Sequence, residues 1–379
     1  MARRRAKRRA LIVFGTRPEA IKIIPVIQAM AENPHFEPII CLTGQHREML
    51  DEVLKVFGIT PDFDLNIHTP GQSLADVTTR VLTRITPVIE QLKPDVMVVQ
   101  GDTTSTFSAA LSAFYQAVLI AHVEAGYRTA DLGQPFPEEA NRRLVGELAS
   151  WHFAANEGCR QNLIAEGHQD WTINVVGNTG IDALFAVLAK DDGLIEGGVR
   201  ELLGNGLRTV VMTMHRRENW GVPIESACRA AQQLVKGHPD IQILFAVHLN
   251  PLVRRSVQGI LGGIERVHLL PALDYLTFSK VLAGAELVMT DSGGVHEEAL
   301  ALGKPLLMLR SVSEWPESVA SKATLLVGTD ERSILDAAES VLEAIDSGTG
   351  LPRSENPLAD GHAATRIVAA LARYLGATT

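Results

Sequence analysis

The chain has 379 residues, of which 46% are hydrophobic, and a formal net charge of −9. That length and apolar fraction can furnish two domain cores, and the acidic balance argues against a general affinity for nucleic acid or anionic membrane. Cys41, Cys159 and Cys228 are too few and too scattered for a zinc spacing or a disulfide framework, which suits a soluble protein of the reducing cytoplasm.

The basic start, with Arg3, Arg4, Arg5, Lys7, Arg8 and Arg9, runs into an apolar segment at 10–14. That segment is too short for a signal sequence or a membrane span, so the start reads as a solvated tail before the first strand. Short apolar runs at 11–14, 38–42, 96–100, 118–123, 151–154 and 173–176 then alternate with helical patterns at 19–31, 46–57, 73–92, 104–116, 138–149 and 157–166. Such alternation predicts a mostly parallel sheet covered by helices on both faces. After Gly177-Asn178 and a polar stretch at 190–206 the pattern restarts. Strands are predicted at 209–214, 241–247, 267–270, 287–290, 305–309 and 324–327, with helices at 224–236, 275–283, 296–302 and 332–345, and a last helix at 362–375. The architecture expected is two open α/β domains in tandem, joined near residues 177–185. Neither an internal repeat nor a low-complexity tract interrupts it.

The stretch 286–310 carries the sharpest local signal. An apolar strand ends in Asp291-Ser292-Gly293-Gly294, and a helical pattern starts at once. Glycines let a backbone approach a ligand closely, and a helix start offers unpaired N–H groups to an anion such as a phosphate or diphosphate. The same residues also fit an ordinary N-capped turn. In open parallel sheets ligands bind beyond the carboxyl ends of the strands, and the polar groups of this chain cluster there. They include Gly15-Thr16-Arg17, Thr43-Gly44-Gln45-His46, Gly101-Asp102-Thr103, Glu124-Ala125-Gly126-Tyr127-Arg128, His215-Arg216-Arg217-Glu218-Asn219 and His248-Leu249-Asn250-Pro251. Facing one interdomain cleft, Arg17, Lys22, Arg128, Arg142, His215 and Arg216 against Asp102, Glu124 and Glu138 suit an anionic ligand and acid/base chemistry. No G-x-G-x-x-G, P-loop, G-x-S-x-G or H-E-x-x-H pattern is present, so neither a nicotinamide cofactor nor a metal is indicated.

Eight ordered blocks carry a wider resemblance: GTRPEAIK (15–22), TGQHREML (43–50), GDTTST (101–106), HVEAGYRT (122–129), PFPEEANRRL (135–144), HRREN (215–219), VHLNP (247–251) and DSGGVHEEALALGKP (291–305). The chain resembles the non-hydrolysing bacterial UDP-N-acetylglucosamine 2-epimerases from residue 11 to about residue 370. The resemblance implies an α/β fold of the glycosyltransferase-B type, two Rossmann-like doubly wound parallel-sheet domains with an interdomain cleft. The expected bounds are 1–178 for the sugar domain, completed by a C-terminal helix at 362–379, and 179–361 for the UDP-binding domain. It implies a homodimer and the interconversion of UDP-N-acetylglucosamine and UDP-N-acetylmannosamine through enzyme-bound 2-acetamidoglucal, with no redox cofactor.

By the same resemblance Asp102, Glu124 and Glu138 are the catalytic carboxylates, without a division of base, acid and stabiliser among them. His215 contacts the diphosphate. Arg17, Lys22 and Arg142 are cationic and sugar-site positions, Ser292, Gly293 and Gly294 the diphosphate cradle, Glu298 the ribose acceptor, and Phe278 the ring near uracil. Gln45 and His46 fall in a block tied to allosteric activation in some members, but Gly71 stands where those members have an arginine. Two further departures are His296 for a glutamine and Ser313-Glu314-Trp315-Pro316-Glu317 for T-E-R-P-E, where Trp315 replaces a fixed cation. Two other readings stay open beside the epimerase, a hydrolysing or different-substrate relative and a nucleotide-sugar binding protein without turnover.

Overall fold

A computed structural model describes residues 7–377 apart from 130, 192, 194, 249, 311–322 and 351–358, with the backbone alone at 48 and 49. The chain divides into two compact units, the first ending at Ala186 and regaining the C-terminal helix, the second beginning at Val187.

In the first unit the strands are β1 (Arg8–Phe14), β2 (Phe36–Leu42), β3 (Phe63–Asp64), β4 (Val96–Gln100), β5 (Leu119–Ala125), β6 (Trp151–Ala154) and β7 (Ile173–Val175). All pair in parallel, in the order β3-β2-β1-β4-β5-β6-β7. Parallel strands covered on both faces read as continuous apolar runs, and every residue of β4 is buried. The helices are α1 (Arg17–Glu32), α2 (Glu48–Phe57), α3 (Leu74–Leu92), α4 (Thr104–Tyr115), α5 (Glu138–Leu148), α6 (Glu157–Ala165) and α7 (Thr179–Leu188), the last running on into the second unit. On α3 the stripe Val77, Val81, Ile85 and Ile89 faces the sheet residues Val13, Met97 and Val99 in one core.

The second unit repeats the plan. After α8 (Gly197–Leu203), its strands are β8 (Arg208–Thr213), β9 (Ile241–Ala246), β10 (Val267–Leu270), β11 (Leu287–Thr290), β12 (Leu306–Met308) and β13 (Thr324–Leu326). They are parallel too, in the order β10-β9-β8-β11-β12-β13. Its helices are α9 (Val222–Gly237), α10 (Pro251–Leu261), α11 (Tyr275–Gly284), α12 (Gly293–Ala301) and α13 (Glu331–Asp346).

The final helix, α14 (Ala363–Tyr374), belongs to the first unit. Asp182 accepts from the Ala363 and Ala364 amides at its start, at 3.2 and 2.8 Å, and so supplies the cap that this helix lacks locally. At its other end Tyr374 stacks on Trp151 with ring centroids 4.9 Å apart, and Arg8 donates to the Leu375 carbonyl.

Each sheet reverses its winding beside its first strand, β1 lying between β2 and β4, and β8 between β9 and β11. The crevice at that reversal is where open α/β sheets take ligands. The turns after β1 and β4 carry Arg17 and Asp102, and those after β8 and β11 carry His215 and Ser292.

Candidate active site

In the first unit the β4 and β5 turns bring the carboxylates together. Glu124 sits near the end of β5 at φ +65, a left-handed conformation that is uncommon outside glycine and clusters at functional sites. The register with β6 shifts between Val123 and Ala125, which re-aims this side chain. Its two oxygens accept from Lys22 Nζ on α1 and from the Gln100 amide at the end of β4. Asp102 is held from α5, accepting from Arg142 Nε at 2.9 Å while Asn141 donates to its carbonyl at 3.0 Å. Gly101 has φ +72, a backbone conformation that a side chain would strain, and Glu124 Oε2 lies 3.7 Å from where its Cβ would stand. Glu138, the first residue of α5, is half-buried and makes no hydrogen bond or ion pair among the described residues. Its neighbour Glu139 is the structural one, fully buried and bound to Arg143 Nε at 2.7 Å and to the Thr129 amide at 3.1 Å.

Glu19 ties two of these turns together. Its buried carboxylate accepts from the Gly15 amide at 3.1 Å and from the Thr103 and Thr106 hydroxyls at 2.8 and 2.6 Å. Burial pushes its pKa up, although those hydrogen bonds oppose the rise. Gln45 joins the same group, its side-chain oxygen accepting from Ser105 Oγ at 2.7 Å. Arg17 is half-buried at the start of α1 and has no intramolecular partner among the described residues, so its donors remain available. Arg128 does not share that freedom. It forms a fork with Glu166 at 2.7 and 2.6 Å and also donates to the Tyr127 carbonyl.

In the second unit Asp291 is the organiser. Fully buried at the end of β11, it accepts from His215 Nδ1 at 2.9 Å, the His215 amide at 3.1 Å, the Arg216 amide at 3.0 Å and Asn219 Nδ2 at 2.9 Å. Burial alone would raise its pKa, but the bonds from His215, Asn219 and Arg216 outweigh it and hold the carboxyl below its ordinary value. The arrangement fixes the His215 ring and leaves it nearly half exposed. Ser292 caps α12, and space is open around Gly294, where a Cβ would meet nothing within 4 Å. That combination of open glycine turn and helix start fits an anionic group. Glu298 accepts from Tyr275 Oη at 3.2 Å, and burial together with that carboxylate pushes the phenol's pKa well above its usual value. Phe278, one helical turn after Tyr275 on α11, is half-buried.

A profile of the family described as UDP-N-acetylglucosamine 2-epimerase matches residues 28–372. The UDP-N-acetylglucosamine 2-epimerase of Escherichia coli (strain K12) is 46% identical over 370 residues, covering 96% of this chain and 98% of its own length. The chain belongs to this family. The enzyme of the same description from Yersinia pestis is likewise 46% identical, across 97% of this chain and 99% of its own. Among solved structures, the Neisseria meningitidis UDP-GlcNAc 2-epimerase bound to UDP-GlcNAc superimposes with a TM-score of 0.84 at 40% identity, covering 96% of this chain and 100% of that one. The Staphylococcus aureus MnaA–UDP co-structure gives 0.84 at 40% identity, with 97% of each chain covered. The fold is therefore the glycosyltransferase-B type, two doubly wound parallel sheets.

Within this bacterial, non-hydrolysing epimerase family, the departure at His296 lies in the packing of the second unit. The ring is buried, with Nε2 2.8 Å from the Thr324 hydroxyl on β13. The other departure, 313–317 with Trp315, falls outside the described residues. Sequence reasoning missed Gln100 and Asn141, and it named Asp291 at its strand end without giving it a role of its own. Asp291 had a readable signal, a carboxylate closing an apolar strand, where burial obliges it to find donors. Gln100 and Asn141 had none, because an amide's partner across the fold leaves no trace in local pattern.

Proposed function

We propose that the chain interconverts UDP-N-acetylglucosamine and UDP-N-acetylmannosamine by eliminating UDP and adding it back. The C2 proton of the sugar is not next to a carbonyl, so its direct removal would leave an unstabilised carbanion. Expelling UDP from C1 solves this. The C2–H electron pair becomes the C1=C2 bond of 2-acetamidoglucal, the C1–O pair leaves with UDP, and the proton goes to an enzyme carboxylate. Re-addition with the proton delivered to the opposite face gives the epimer, and no electrons enter or leave, so no redox cofactor is needed.

The observation that carries this reading is the carboxylates of the first unit, Asp102 and Glu124 engaged by Arg142, Lys22 and Gln100, with Glu138 uncommitted at the start of α5, the helix that supplies Arg142. Binding alone has no use for acids at an anionic ligand. Glu138, uncommitted, can exchange a proton on one face of C2, one of Asp102 and Glu124 serves the opposite face, and the other faces the oxocarbenium-like charge that develops at C1. In the second unit His215, oriented by Asp291, and the Ser292-Gly293-Gly294 turn take the diphosphate. Glu298 takes the ribose hydroxyls and Phe278 lies by the base. Arg17 and Gln45 complete the sugar and diphosphate contacts.

We further propose a homodimer, supported by Phe114 and Tyr115, 56% and 68% exposed at the end of α4 and next in the chain to a pocket formed by the end of α3 and the turns after α3 and α4. A cytoplasmic setting accords with three buried cysteines that form no disulfide and need no oxidising compartment. Among the described residues no helix is long and apolar enough to cross a membrane.

The test is incubation with UDP-N-acetylglucosamine in deuterated water, followed by proton NMR. The expected product is UDP-N-acetylmannosamine carrying deuterium at C2. Free N-acetylmannosamine with UDP would establish a hydrolysing enzyme instead, and tight binding without exchange at C2 would leave only a binding protein.

A further inference from the structure

His122 lies on β5, two residues before Glu124 and just ahead of the register shift that re-aims that carboxylate. It is 1% exposed, and its Nε2 lies 2.7 Å from the Gly101 carbonyl. A carbonyl only accepts, so the ring carries its proton on Nε2 and donates. Burial keeps the ring neutral, with its pKa lowered to about 4, and Arg128, Arg142 and His168 disfavour a second proton further. The Gly101 amide donates to the Val123 carbonyl at 3.0 Å, so the glycine is pinned to β5 through both its amide and its carbonyl.

The consequence falls on the next residue. The Gly101–Asp102 peptide is trans, so its N–H points opposite to the carbonyl that His122 holds. That N–H belongs to Asp102, and it meets no acceptor among the described residues. Asp102's own carbonyl and carboxylate are fixed separately by Asn141 and Arg142. The peptide is thus locked on three sides with one donor left open, within the carboxylate group that Gly101 shares with Glu124.

We propose that His122 is a positioning residue for the epimerisation. Its neutral ring orients the Gly101–Asp102 peptide so that the Asp102 carboxylate and the Asp102 backbone N–H are presented together to the sugar, the N–H donating to an oxygen of the ring or its acetamido group. This rests on the proposed epimerase reaction. A preset backbone donor beside the reacting carbon strengthens as charge develops and loses nothing to reorganisation. Freed from the ring, the peptide can rotate and take both groups out of line.

The experiment compares His122→Phe, which keeps the ring and removes the donor, with His122→Gln, whose side-chain amide can donate from near the Nε2 position. Epimerisation is followed by NMR, UDP affinity by calorimetry and folding by thermal melting. The Phe variant should lose about 100-fold in kcat, the scale of a misplaced reacting group, while the affinity for UDP, which has no sugar, stays within about twofold of wild type. The Gln variant should recover at least about tenfold of that loss and keep the wild-type pH–rate profile.

Wild-type kcat in the Phe variant overturns the inference. So does a Gln variant no better than Phe, or loss of one limb of the pH profile in the Gln variant, which would make His122 a titrating catalyst. If the Phe variant does not fold, the Gln variant decides alone, and a kcat more than about tenfold below wild type counts against the inference. Wild-type protein that fails to epimerise removes the underlying reaction, an outcome separate from these.

Discussion

Asp291→Asn tests the account of the second unit most directly. The carboxylate has two oxygens for four donors, Oδ2 taking Arg216 and Asn219, Oδ1 taking His215 Nδ1, and the His215 amide reaching both at 3.1 Å. Asparagine keeps one oxygen and turns an NH2 toward the rest. The least costly arrangement puts the NH2 against His215, whose Nδ1 must then accept, so the ring proton moves to Nε2. The remaining bonds pass from a charged acceptor, worth roughly 1.5–3 kcal/mol each, to a neutral one worth roughly 0.5–1.5 kcal/mol. Set against the lower cost of burying a neutral amide, the loss of stability should be about 2–3 kcal/mol at pH 7.

The assay is urea unfolding followed by tryptophan fluorescence, to which Trp220, bonded to the His215 carbonyl, contributes for this unit. The pH dependence gives a second check. Asp291 has a lowered pKa in the fold, so its contribution is present above the unfolded value of about 3.9 and is lost as pH falls through the lower folded value. The difference between wild type and variant should therefore hold steady from about pH 8 to 5 and shrink below about pH 4. A variant as stable as wild type at pH 7, or a gap that widens in acid, would refute the reasoning. Turnover should fall as well, because the His215 ring loses the charged acceptor that fixes its orientation.

Asp102→Asn should abolish turnover while leaving UDP affinity within about twofold, since UDP lacks the sugar that this residue faces; wild-type turnover in the variant would remove Asp102 from the reaction. Arg128→Met should cost about 1–3 kcal/mol of stability and leave UDP affinity unchanged, because the guanidinium is committed to Glu166. A rise in the dissociation constant without loss of stability would return Arg128 to the ligand site. His152, paired across the strands with His122, has its pKa lowered to about 3 by burial and by His122, His168 and Arg128 around it. It stays neutral in the fold while the unfolded chain takes a proton near pH 6.5, so its contribution is present above that pH and drains away toward pH 3. His152→Phe should flatten unfolding stability against pH between about 6 and 4 by up to one proton's slope, about 1.4 kcal/mol per unit; equal slopes would contradict it.

Legibility in the sequence followed how local each cause was. The buried parallel strands 96–100, 151–154, 267–270 and 287–290 are read to the residue, because an apolar run bounded by polar turns has one natural reading there. Helix α10 was hidden in plain view. Its start is Asn250 capping the Leu252 amide with Pro251 in the first turn, the usual signature, but the block had been assigned to a loop at a strand end. Helix α7 gave a different difficulty, since Ile181, Ala183, Leu184 and Val187 are all buried and leave little polar contrast to set a period. Strand β3, at Phe63–Asp64, is too short for any alternation. Among the site residues, adjacent Glu138 and Glu139 are equivalent to local pattern, and only the third dimension gives Glu139 to Arg143 and leaves Glu138 uncommitted. The commitment of Arg128 is illegible for the same reason, its partner Glu166 being 38 residues away.

The return of α14 to the first unit also sets an order of events at the ribosome. Everything from Val187 through α13 is synthesised before the helix that receives Asp182, Arg8 and Asn174 has left the tunnel. The second unit is contiguous in the chain and can fold while synthesis continues, as N-terminal and contiguous units generally do. The first unit, though begun earlier, must wait for its last piece. Until then the surface around Trp151 and Asp182 stands uncovered on the nascent chain.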